Sequence, residues 1–188
     1  MKHPRYYPLT VAGCARELPL CPLNDRVQIA GFVMLGDPEL TTACAAALLE
    51  RAPEHDFILT AEAKGIPLAH EMARLAGNRP YFVARKAPKL YMTGVTEVRV
   101  HSITTAGEQR LYLDSADAER MRGKRILIVD DVVSTGESLR ALEALVTRAG
   151  GVICGRMAVL AEGEAGRRAD LIYLEPLPLF DAAGRPMN

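Results

Sequence analysis

The sequence predicts an α/β fold in which a parallel, twisted sheet is flanked by helices. Short, wholly apolar segments alternate along the chain with Ala- and Leu-rich segments of helical length. Strands that are apolar on both faces are typical of parallel sheets covered by helices on both sides. A chain of 188 residues with 49% hydrophobic and 24% charged residues has the composition of an ordinary globular protein with one main core.

The predicted elements follow from the turn-forming residues at their ends. Asp37 is expected to cap the first helix, with Pro38 in its first turn, and Gly150-Gly151 to end the last one. The predicted strands are 27–35, 57–61, 81–84, 126–129, 152–160 and 171–174, and the predicted helices are 38–51, 67–76 and 135–149. Residues 1–26, rich in Pro and Tyr, are expected to be extended or irregular.

A β-hairpin is predicted to interrupt this alternation. Residues 96–104 and 108–114 alternate in polarity on either side of Thr105-Ala106-Gly107. The hairpin precedes the strand 126–129, so it is placed to act as a mobile flap over a site at that strand. A plain hairpin at the edge of the sheet explains the same pattern, and both interpretations stay open.

Charge and cysteine content argue against several classes of protein. Lys plus Arg and Asp plus Glu both total 23, so no nucleic-acid or membrane-surface partner is indicated. Residues 1–8 contain no apolar segment of the signal-peptide type, and no stretch approaches a membrane span. The four cysteines show no CxxC pattern and no metal-ligand spacing with histidine, which favours free thiols in a reducing cytoplasm over a Cys14–Cys21 disulfide.

The most specific pattern is ILIVDDVVSTGES, residues 126–138. Asp130 and Asp131 follow an apolar strand, and ligands of open α/β sheets bind at the carboxyl ends of strands. The small residues and Gly136 that follow offer backbone N–H groups and a helix N-terminus to a phosphate. Two carboxylates would repel that phosphate but accept hydrogen bonds from a vicinal diol, so the pattern indicates a ribose 5-phosphate site. A solvated strand end with an ordinary helix cap is the alternative; the P-loop motif GxxxxGK[ST] does not occur in the sequence.

Two further segments place cations directly after predicted strands. Glu62-Ala63-Lys64-Gly65 can present one cation and bare backbone N–H groups to an anion, and Arg85-Lys86-Ala87-Pro88-Lys89 carries three cations. Each segment alone would be interpreted as a solvated surface turn. Because the carboxyl ends of parallel strands share one edge of a sheet, both segments are expected beside the 126–138 motif, where they predict a second anion site.

The segment 126–138 resembles the phosphoribosyl pyrophosphate (PRPP) signature of the type I phosphoribosyltransferases: an apolar strand, an acidic pair, two apolar residues, two small residues and Gly. The resemblance implies that Asp130 and Asp131 hold the ribose 2- and 3-hydroxyls and act in catalysis with Lys64 and Arg85. The residues implied to bind PRPP are Asp130, Asp131, Val132, Ser134, Thr135, Gly136, Glu137 and Ser138. Mg²⁺ is the implied cofactor, held mainly by PRPP and close to the two aspartates.

The same resemblance places the pyrophosphate group against the two cationic segments. The residues implied to bind it are Glu62, Ala63, Lys64, Gly65, Arg85, Lys86 and Lys89. Similar proteins often carry a non-proline cis peptide in the first segment, expected here at Ala63–Lys64. The RKxxKL pattern is similar to that of adenine phosphoribosyltransferases, in which a cation after this strand often reaches a neighbouring subunit's site, so a homodimer is implied.

A division of the chain is also implied. Its parts are an N-terminal hood segment over 1–36, the phosphoribosyltransferase core over 37–176 with the hairpin flap at about 90–114, and a C-terminal hood or tail over 177–188. In purine phosphoribosyltransferases the hood sandwiches the base. Phe32 and Val33 are the base-binding candidates here, because an aromatic face stacks on a planar heterocycle. Packing in the protein core is the alternative for both.

The implied reaction transfers ribose 5-phosphate from PRPP to a purine base and releases pyrophosphate. Hypoxanthine-guanine enzymes usually carry a third Asp at the position of Ser134, and orotate enzymes carry Asp-His-Gly where this chain has Leu90-Tyr91-Met92. Adenine is therefore expected by elimination, with xanthine or hypoxanthine and guanine next. The alternative from another class is a non-catalytic, PRPP-sensing regulator on the same fold. Only about 25 residues precede the expected hood, too few for a DNA-reading winged helix, and the net charge is zero.

Overall fold

The computed structural model describes residues 5–101 and 108–187 of the chain. Its strands are β1 (Tyr6–Val11), β2 (Cys14–Pro22), β3 (Val27–Ala30), β4 (Phe57–Ala61), β5 (Tyr81–Ala84), β6 (Val95–His101), β7 (Glu108–Asp114), β8 (Arg125–Val133), β9 (Val152–Glu162), β10 (Ile172–Leu177), β11 (Leu179–Asp181) and β12 (Pro186–Met187). Its helices are α1 (Pro38–Leu49), α2 (Ile66–Leu75), α3 (Ser115–Met121) and α4 (Glu137–Ala149), and a short 3₁₀ turn covers Gly163–Arg167.

A five-stranded parallel sheet forms the centre of the molecule, in the order β10-β9-β8-β4-β5. Strand β8 lies in the middle, between β9 and β4. Because all five strands run in the same direction, the turns that follow β4, β5, β8 and β9 lie along one edge of the sheet. The predicted α/β fold with a helix-covered parallel sheet is confirmed.

Two apolar cores lie on opposite faces of this sheet. Ile58 and Leu127 point into the core that is covered by α1 and α2, whereas Leu59, Ile126 and Ile128 point into the core that is covered by α3 and α4. This alternation is the two-residue period of a strand, with both faces buried. The all-apolar strand sequences are therefore explained by helices on both sides.

A second, antiparallel sheet joins the two ends of the chain, in the order β1-β2-β3-β11-β12. Residues 1–26 are therefore more regular than expected, since β1 and β2 form a hairpin within the described part of that segment. Its turn, Ala12-Gly13, has positive φ at both residues, 48° and 78°. An alanine in this conformation is unusual, which is why the turn gives little sequence signal.

Strand β8 is longer than predicted. It continues to Val133, so Asp130 and Asp131 lie inside the strand, and the predicted end at Val129 is wrong. The neighbouring β9 extends as well, and Val132 and Val133 pair with its residues Leu160 and Ala161. The acidic pair does not end β8, because the backbone groups that follow it still pair with β9.

Other boundaries follow the sequence more closely. Strands β4 and β5 have the predicted ends, and the Asp37 carboxylate accepts a hydrogen bond from the Leu40 N–H at 3.1 Å, as expected for a helix cap. Gly150 ends α4 with φ 76°. The predicted strand 27–35 is wrong beyond Ala30, and helix α3 has no counterpart among the predicted elements.

The predicted hairpin is present as the antiparallel pair β6–β7, while its turn, Thr105-Ala106-Gly107, lies outside the described residues. The N–H of Arg85 donates to the carbonyl of Tyr112, and the N–H of Tyr112 donates to the carbonyl of Arg85, both at 2.8 Å. Leu111 and Leu113 are buried in the core beside α4. The base of the hairpin is thus tied both to the end of β5 and to the helix after β8.

Neither a disulfide nor a membrane-spanning helix is found in the described part of the chain. All four cysteines are free, so the Cys14–Cys21 disulfide that the sequence left open does not form. No helix among the described residues has both the length and the apolar character needed to cross a membrane.

Candidate functional site

A cleft of about 550 Å³ opens at the edge of the sheet where β4 and β8 end. Its lining comes from the segment after β4, the end of β8, the middle of the hairpin strand β7, one residue after β5 and one residue at the start of α4. The lining residues are Ala61, Glu62, Ala63, Lys64, Lys86, Arg110, Leu111, Asp130, Asp131, Val132 and Ser138. The parallel topology thus brings together the acidic pair and most of the first cationic segment.

The acidic pair is in direct contact with the first cationic segment. Nζ of Lys64 lies 2.8 Å from Oδ2 of Asp131, whose side chain is only 4% exposed. That oxygen has no aligned hydrogen bond among the described residues. Asp130 remains partly exposed, and its Oδ1 accepts a hydrogen bond from the Asp131 N–H at 2.9 Å. Although part of the residue is exposed, the protein packed around its carboxyl removes much of the surrounding water, and this desolvation, together with the adjacent charge of Asp131, raises the pKa of Asp130 above its ordinary value.

A second charged cluster forms around Glu62. One of its carboxylate oxygens accepts a hydrogen bond from the Lys86 N–H at 3.0 Å. The other lies 3.3 Å from Nη2 of Arg85 and 3.9 Å from Nζ of Lys89. The Lys86 N–H first, and then the nearby cations, hold the pKa of Glu62 below its ordinary value. The two cationic segments are therefore joined by an acid that belongs to the first.

Gly65 allows the first cationic segment to lie directly on the sheet. A Cβ at this position would lie 2.3 Å from Oγ1 of Thr60 and 3.1 Å from Oδ1 of Asp130, so no larger residue fits without movement. The Thr60 hydroxyl is fully buried and has no hydrogen-bond partner among the described residues. A non-proline cis peptide is present at Glu62–Ala63, so the expected position, Ala63–Lys64, is wrong by one residue.

The turn between β8 and α4 encloses a smaller cavity of about 40 Å³. Its lining residues are Asp130, Val132, Val133, Ser134, Thr135, Gly136, Glu137, Ser138 and Leu139. Gly136 has φ +76° and lies directly before α4, so the turn ends on a helix N-terminus. Asp130, Val132 and Ser138 also line the large cleft, and the two cavities therefore adjoin. Residues 134–138, at the junction of β8 and α4, are called the phosphate turn.

The two base-binding candidates lie outside the large cleft. Phe32 is 4% exposed and belongs to the core covered by α1 and α2, whereas Val33 is 54% exposed. Both line a separate cavity of about 290 Å³ beside β2. The position of Phe32 favours core packing, the alternative that the sequence left open.

Some cleft residues were not predicted from the sequence. Arg110 and Leu111 reach the cleft from β7, and Thr60 lies beneath Gly65. The hairpin pattern placed β7 near the site but gave no signal for which of its residues face the cleft.

Known proteins resemble this chain in sequence along most of the central sheet. Residues 38–175 match the family described as "Phosphoribosyl transferase domain". The chain is 31% identical over 144 residues to the hypoxanthine/guanine phosphoribosyltransferase of Methanocella paludicola, an alignment that covers 76% of this chain and 68% of that protein. It is 35% identical over 137 residues to the hypoxanthine/guanine phosphoribosyltransferase of Methanococcus voltae, covering 72% of this chain and 69% of that protein.

Solved structures of similar fold include two adenine phosphoribosyltransferases. The structure from Thermoanaerobacter pseudethanolicus superposes with a TM-score of 0.70 at 20% identity, covering 85% of this chain and 95% of that one. The structure from Rhodothermus marinus gives a TM-score of 0.68 at 25% identity, covering 84% and 94%. Because the family match spans the central sheet and the sequence relatives reach 35% identity, this chain belongs to the phosphoribosyltransferase family of enzymes and has the type I fold.

Proposed function

We propose that this protein transfers the phosphoribosyl group of PRPP to a purine base and releases pyrophosphate. One observation carries the proposal: the Asp130–Asp131 pair lies between the phosphate turn and Lys64, so diol acceptors stand between two anion sites. PRPP has this order of groups, with a 5-phosphate, a ribose diol and a pyrophosphate.

The proposed roles follow from charge and position. The ribose hydroxyls donate to Asp130 and Asp131, and the 5-phosphate accepts from backbone N–H groups and hydroxyls of the phosphate turn. The pyrophosphate lies against Lys64, Arg85 and the segment that follows β5. Nε of Arg85 is buried without a hydrogen-bond acceptor among the described residues, which supports an anionic partner for this side chain.

The proposed reaction is a substitution at the anomeric carbon. The bond from that carbon to the pyrophosphate oxygen breaks, and its electron pair leaves with the pyrophosphate. A bond from the same carbon to a ring nitrogen of the base forms, and that nitrogen releases its proton to the solvent. Negative charge grows on the leaving pyrophosphate, and the cations beside it stabilise that charge. Water competes with the base for the same carbon, so we propose that the β6–β7 hairpin acts as a flap over the cleft.

The donor set fits Mg²⁺ only when the substrate contributes ligands. The described residues contain no group of three or more His, Cys, Asp or Glu side chains that could hold a metal ion. Asp131 nevertheless offers a buried carboxylate oxygen, Oδ2, which has no aligned hydrogen bond among the described residues but lies 2.8 Å from Nζ of Lys64. Mg²⁺ is commonly held by one or two carboxylates and the phosphates of a substrate. When bound with PRPP near Asp130 and Asp131, it would neutralise charge on the leaving group.

Among purines, we propose hypoxanthine or guanine ahead of adenine. The sequence relatives at 31% and 35% identity are named hypoxanthine/guanine phosphoribosyltransferases. The adenine enzyme from T. pseudethanolicus shares the fold at only 20% identity. Adenine, the base expected by elimination from Ser134 and from Leu90-Tyr91-Met92, remains the second candidate.

Three further features belong to the proposal. A homodimer is supported by the resemblance at Arg85 and Lys89 and by the exposed Leu90 and Tyr91 that follow them. Val33 is the remaining base-binding candidate, because its side chain is exposed. A cytoplasmic location is supported by four free cysteines.

The decisive experiment mixes the purified protein with Mg²⁺, PRPP and an equimolar mixture of labelled hypoxanthine, guanine, xanthine and adenine. We expect a 6-oxopurine nucleotide and an equal amount of pyrophosphate. Preferred formation of AMP would show that adenine is the preferred base, and the proposed phosphoribosyl transfer would still hold. Binding of PRPP without any nucleotide would contradict the proposal and indicate a PRPP-sensing regulator.

A further inference from the structure

An arginine outside the sequence motifs lies against the phosphate turn. Arg168 follows the 3₁₀ turn that begins after β9, and β9 is the sheet neighbour of β8, so both strands end at the same edge. Nη1 of Arg168 lies 3.1 Å from the point that a Cβ on Gly136 would occupy. The guanidinium group therefore packs on the glycine in the middle of the phosphate turn.

The orientation of this side chain is held by Asp170. Nε and Nη2 of Arg168 donate to the two carboxylate oxygens of Asp170 at 3.0 and 2.8 Å. The same hydrogen bonds are the main reason why the pKa of Asp170 lies below its ordinary value. Such a side-on pair fixes the plane of the guanidinium. It leaves Nη1 pointing at the turn, without a hydrogen-bond acceptor among the described residues.

The charge balance of the turn calls for a cation at this place. The residues that line its cavity include Asp130 and Glu137 but neither Lys nor Arg. Lys64 faces Asp131, and Arg85 faces Glu62. A phosphate dianion bound in the turn would otherwise meet only dipolar donors from the cavity lining. Arg168 adds a guanidinium next to Gly136, whose positive charge is shared with Asp170.

We propose that Arg168 binds the 5-phosphate of the phosphoribosyl substrate through its Nη1 group, and that Asp170 positions it. This inference rests on the proposed function, since it needs a phosphate in the phosphate turn. It assigns to the site a cation from the β9–β10 connection, far from every motif that the sequence indicated. It also gives Gly136 a second role, because a side chain there would push the guanidinium away.

The test measures binding at the two ends of the substrate site separately. Calorimetric titration with ribose 5-phosphate probes the phosphate turn, and titration with magnesium pyrophosphate probes the Lys64 side. In Arg168→Gln we expect ribose 5-phosphate to bind about 10- to 100-fold more weakly, the usual effect of losing one charge-assisted hydrogen bond. Pyrophosphate should bind within about twofold of wild type, because its site is not altered.

The matched control is Arg167→Gln. Arg167 is 75% exposed and pairs only with Glu164 among the described residues, so both affinities should stay unchanged. In steady state, Arg168→Gln should raise KM for PRPP more than it lowers kcat, and Arg168→Lys should recover part of the loss. Asp170→Asn should weaken ribose 5-phosphate binding by a smaller factor, as expected of a positioning residue.

The possible failures are distinguishable. Wild-type affinity for ribose 5-phosphate in Arg168→Gln would overturn the inference and leave the proposed function standing. An equal loss of pyrophosphate binding would also overturn it, since general damage to the fold would then explain both. If the wild-type protein bound neither compound nor PRPP, the proposed function would fail and the inference with it.

Discussion

The ammonium group of Lys64 lies 2.8 Å from Oδ2 of Asp131, so a cation from the segment after β4 neutralises an acid at the end of β8. The acid is almost completely buried, whereas the lysine side chain is 50% exposed. A ligand that brings both a diol and an anion can contact both members of the pair. In the free protein, these two charges therefore compensate each other.

Removing Lys64 should destabilise the protein. Lys64→Ala leaves the Asp131 carboxylate buried without its cation. We expect the free energy of unfolding to fall by about 1 kcal/mol, a modest loss because the lysine side chain is half exposed. Lys64→Ala/Asp131→Asn should recover part of that loss. Urea unfolding of both variants measures the effect, with Lys124→Ala as an exposed control. Identical unfolding midpoints for Lys64→Ala and wild type would contradict this account of the pair.

Both members of the pair should be needed for turnover. Asp131→Asn and Lys64→Ala should each lower kcat by about 100-fold or more, since one loses a diol acceptor and the other a cation beside the leaving group. Circular dichroism should show a retained fold. Glu119→Gln, on the exposed face of α3, is the control and should keep full activity. Steady-state rates close to wild type in either variant would refute the role given to that residue.

Asp130 should release a proton when PRPP binds. Because its pKa is raised, Asp130 in the free protein holds a proton at pH values where an exposed aspartate is ionised. A diol donates best to the ionised carboxylate, so affinity for PRPP should increase as pH rises toward the raised pKa. Titrations in two buffers of different ionisation enthalpy measure the proton release. Asp130→Asn should abolish it, and an unchanged release in that variant would contradict the assignment.

The same shift predicts the direction of a stability change. The unfolded chain loses the Asp130 proton near the ordinary value of 3.8, before the folded protein does. The contribution of Asp130 to folding therefore becomes less favourable as pH rises from that value toward the raised pKa. Asp130→Asn should remove this part of the pH dependence. Chemical unfolding of wild type and variant at about pH 4 and about pH 7 measures the change in the free energy of unfolding between these pH values. An equal change in both proteins would contradict a raised pKa of Asp130.

Gly65→Ala should disturb both stability and activity. Its Cβ would lie 2.3 Å from Oγ1 of Thr60, so the segment after β4 would have to move away from the sheet. We expect the free energy of unfolding to fall by about 1–3 kcal/mol. Removing the hydroxyl in Gly65→Ala/Thr60→Ala should restore part of it. Gly31→Ala is the control, because a Cβ there meets its neighbours at 3.4 Å or more. Full stability of Gly65→Ala in thermal unfolding would show that the segment after β4 does not lie on the sheet as described.

The parts of the site predicted from sequence are those with strong local patterns. Apolar strands followed by Lys64-Gly65 and by Asp130-Asp131 predict both the sheet and the edge where these residues meet, because parallel topology fixes that edge. The phosphate turn was predicted from small residues before a helix. Within these segments the spacing along the chain already determines the spacing in the structure.

The remaining parts depend on packing between distant segments. Arg168 reaches the phosphate turn from a connection without a motif. Arg110 lines the cleft from a hairpin whose neighbouring residue Tyr112 is hydrogen-bonded to Arg85. The β1–β2 hairpin was missed because its turn contains an alanine with positive φ. Such positions follow from the tertiary arrangement, for which a single sequence offers no local signal.

A crystal structure of the protein with Mg²⁺ and PRPP tests the central claim most directly. We expect the ribose diol at Asp130 and Asp131, the 5-phosphate in the phosphate turn, and the pyrophosphate beside Lys64. PRPP bound elsewhere, or a β8 edge that remains closed by the protein's own side chains at saturating PRPP, would contradict the account.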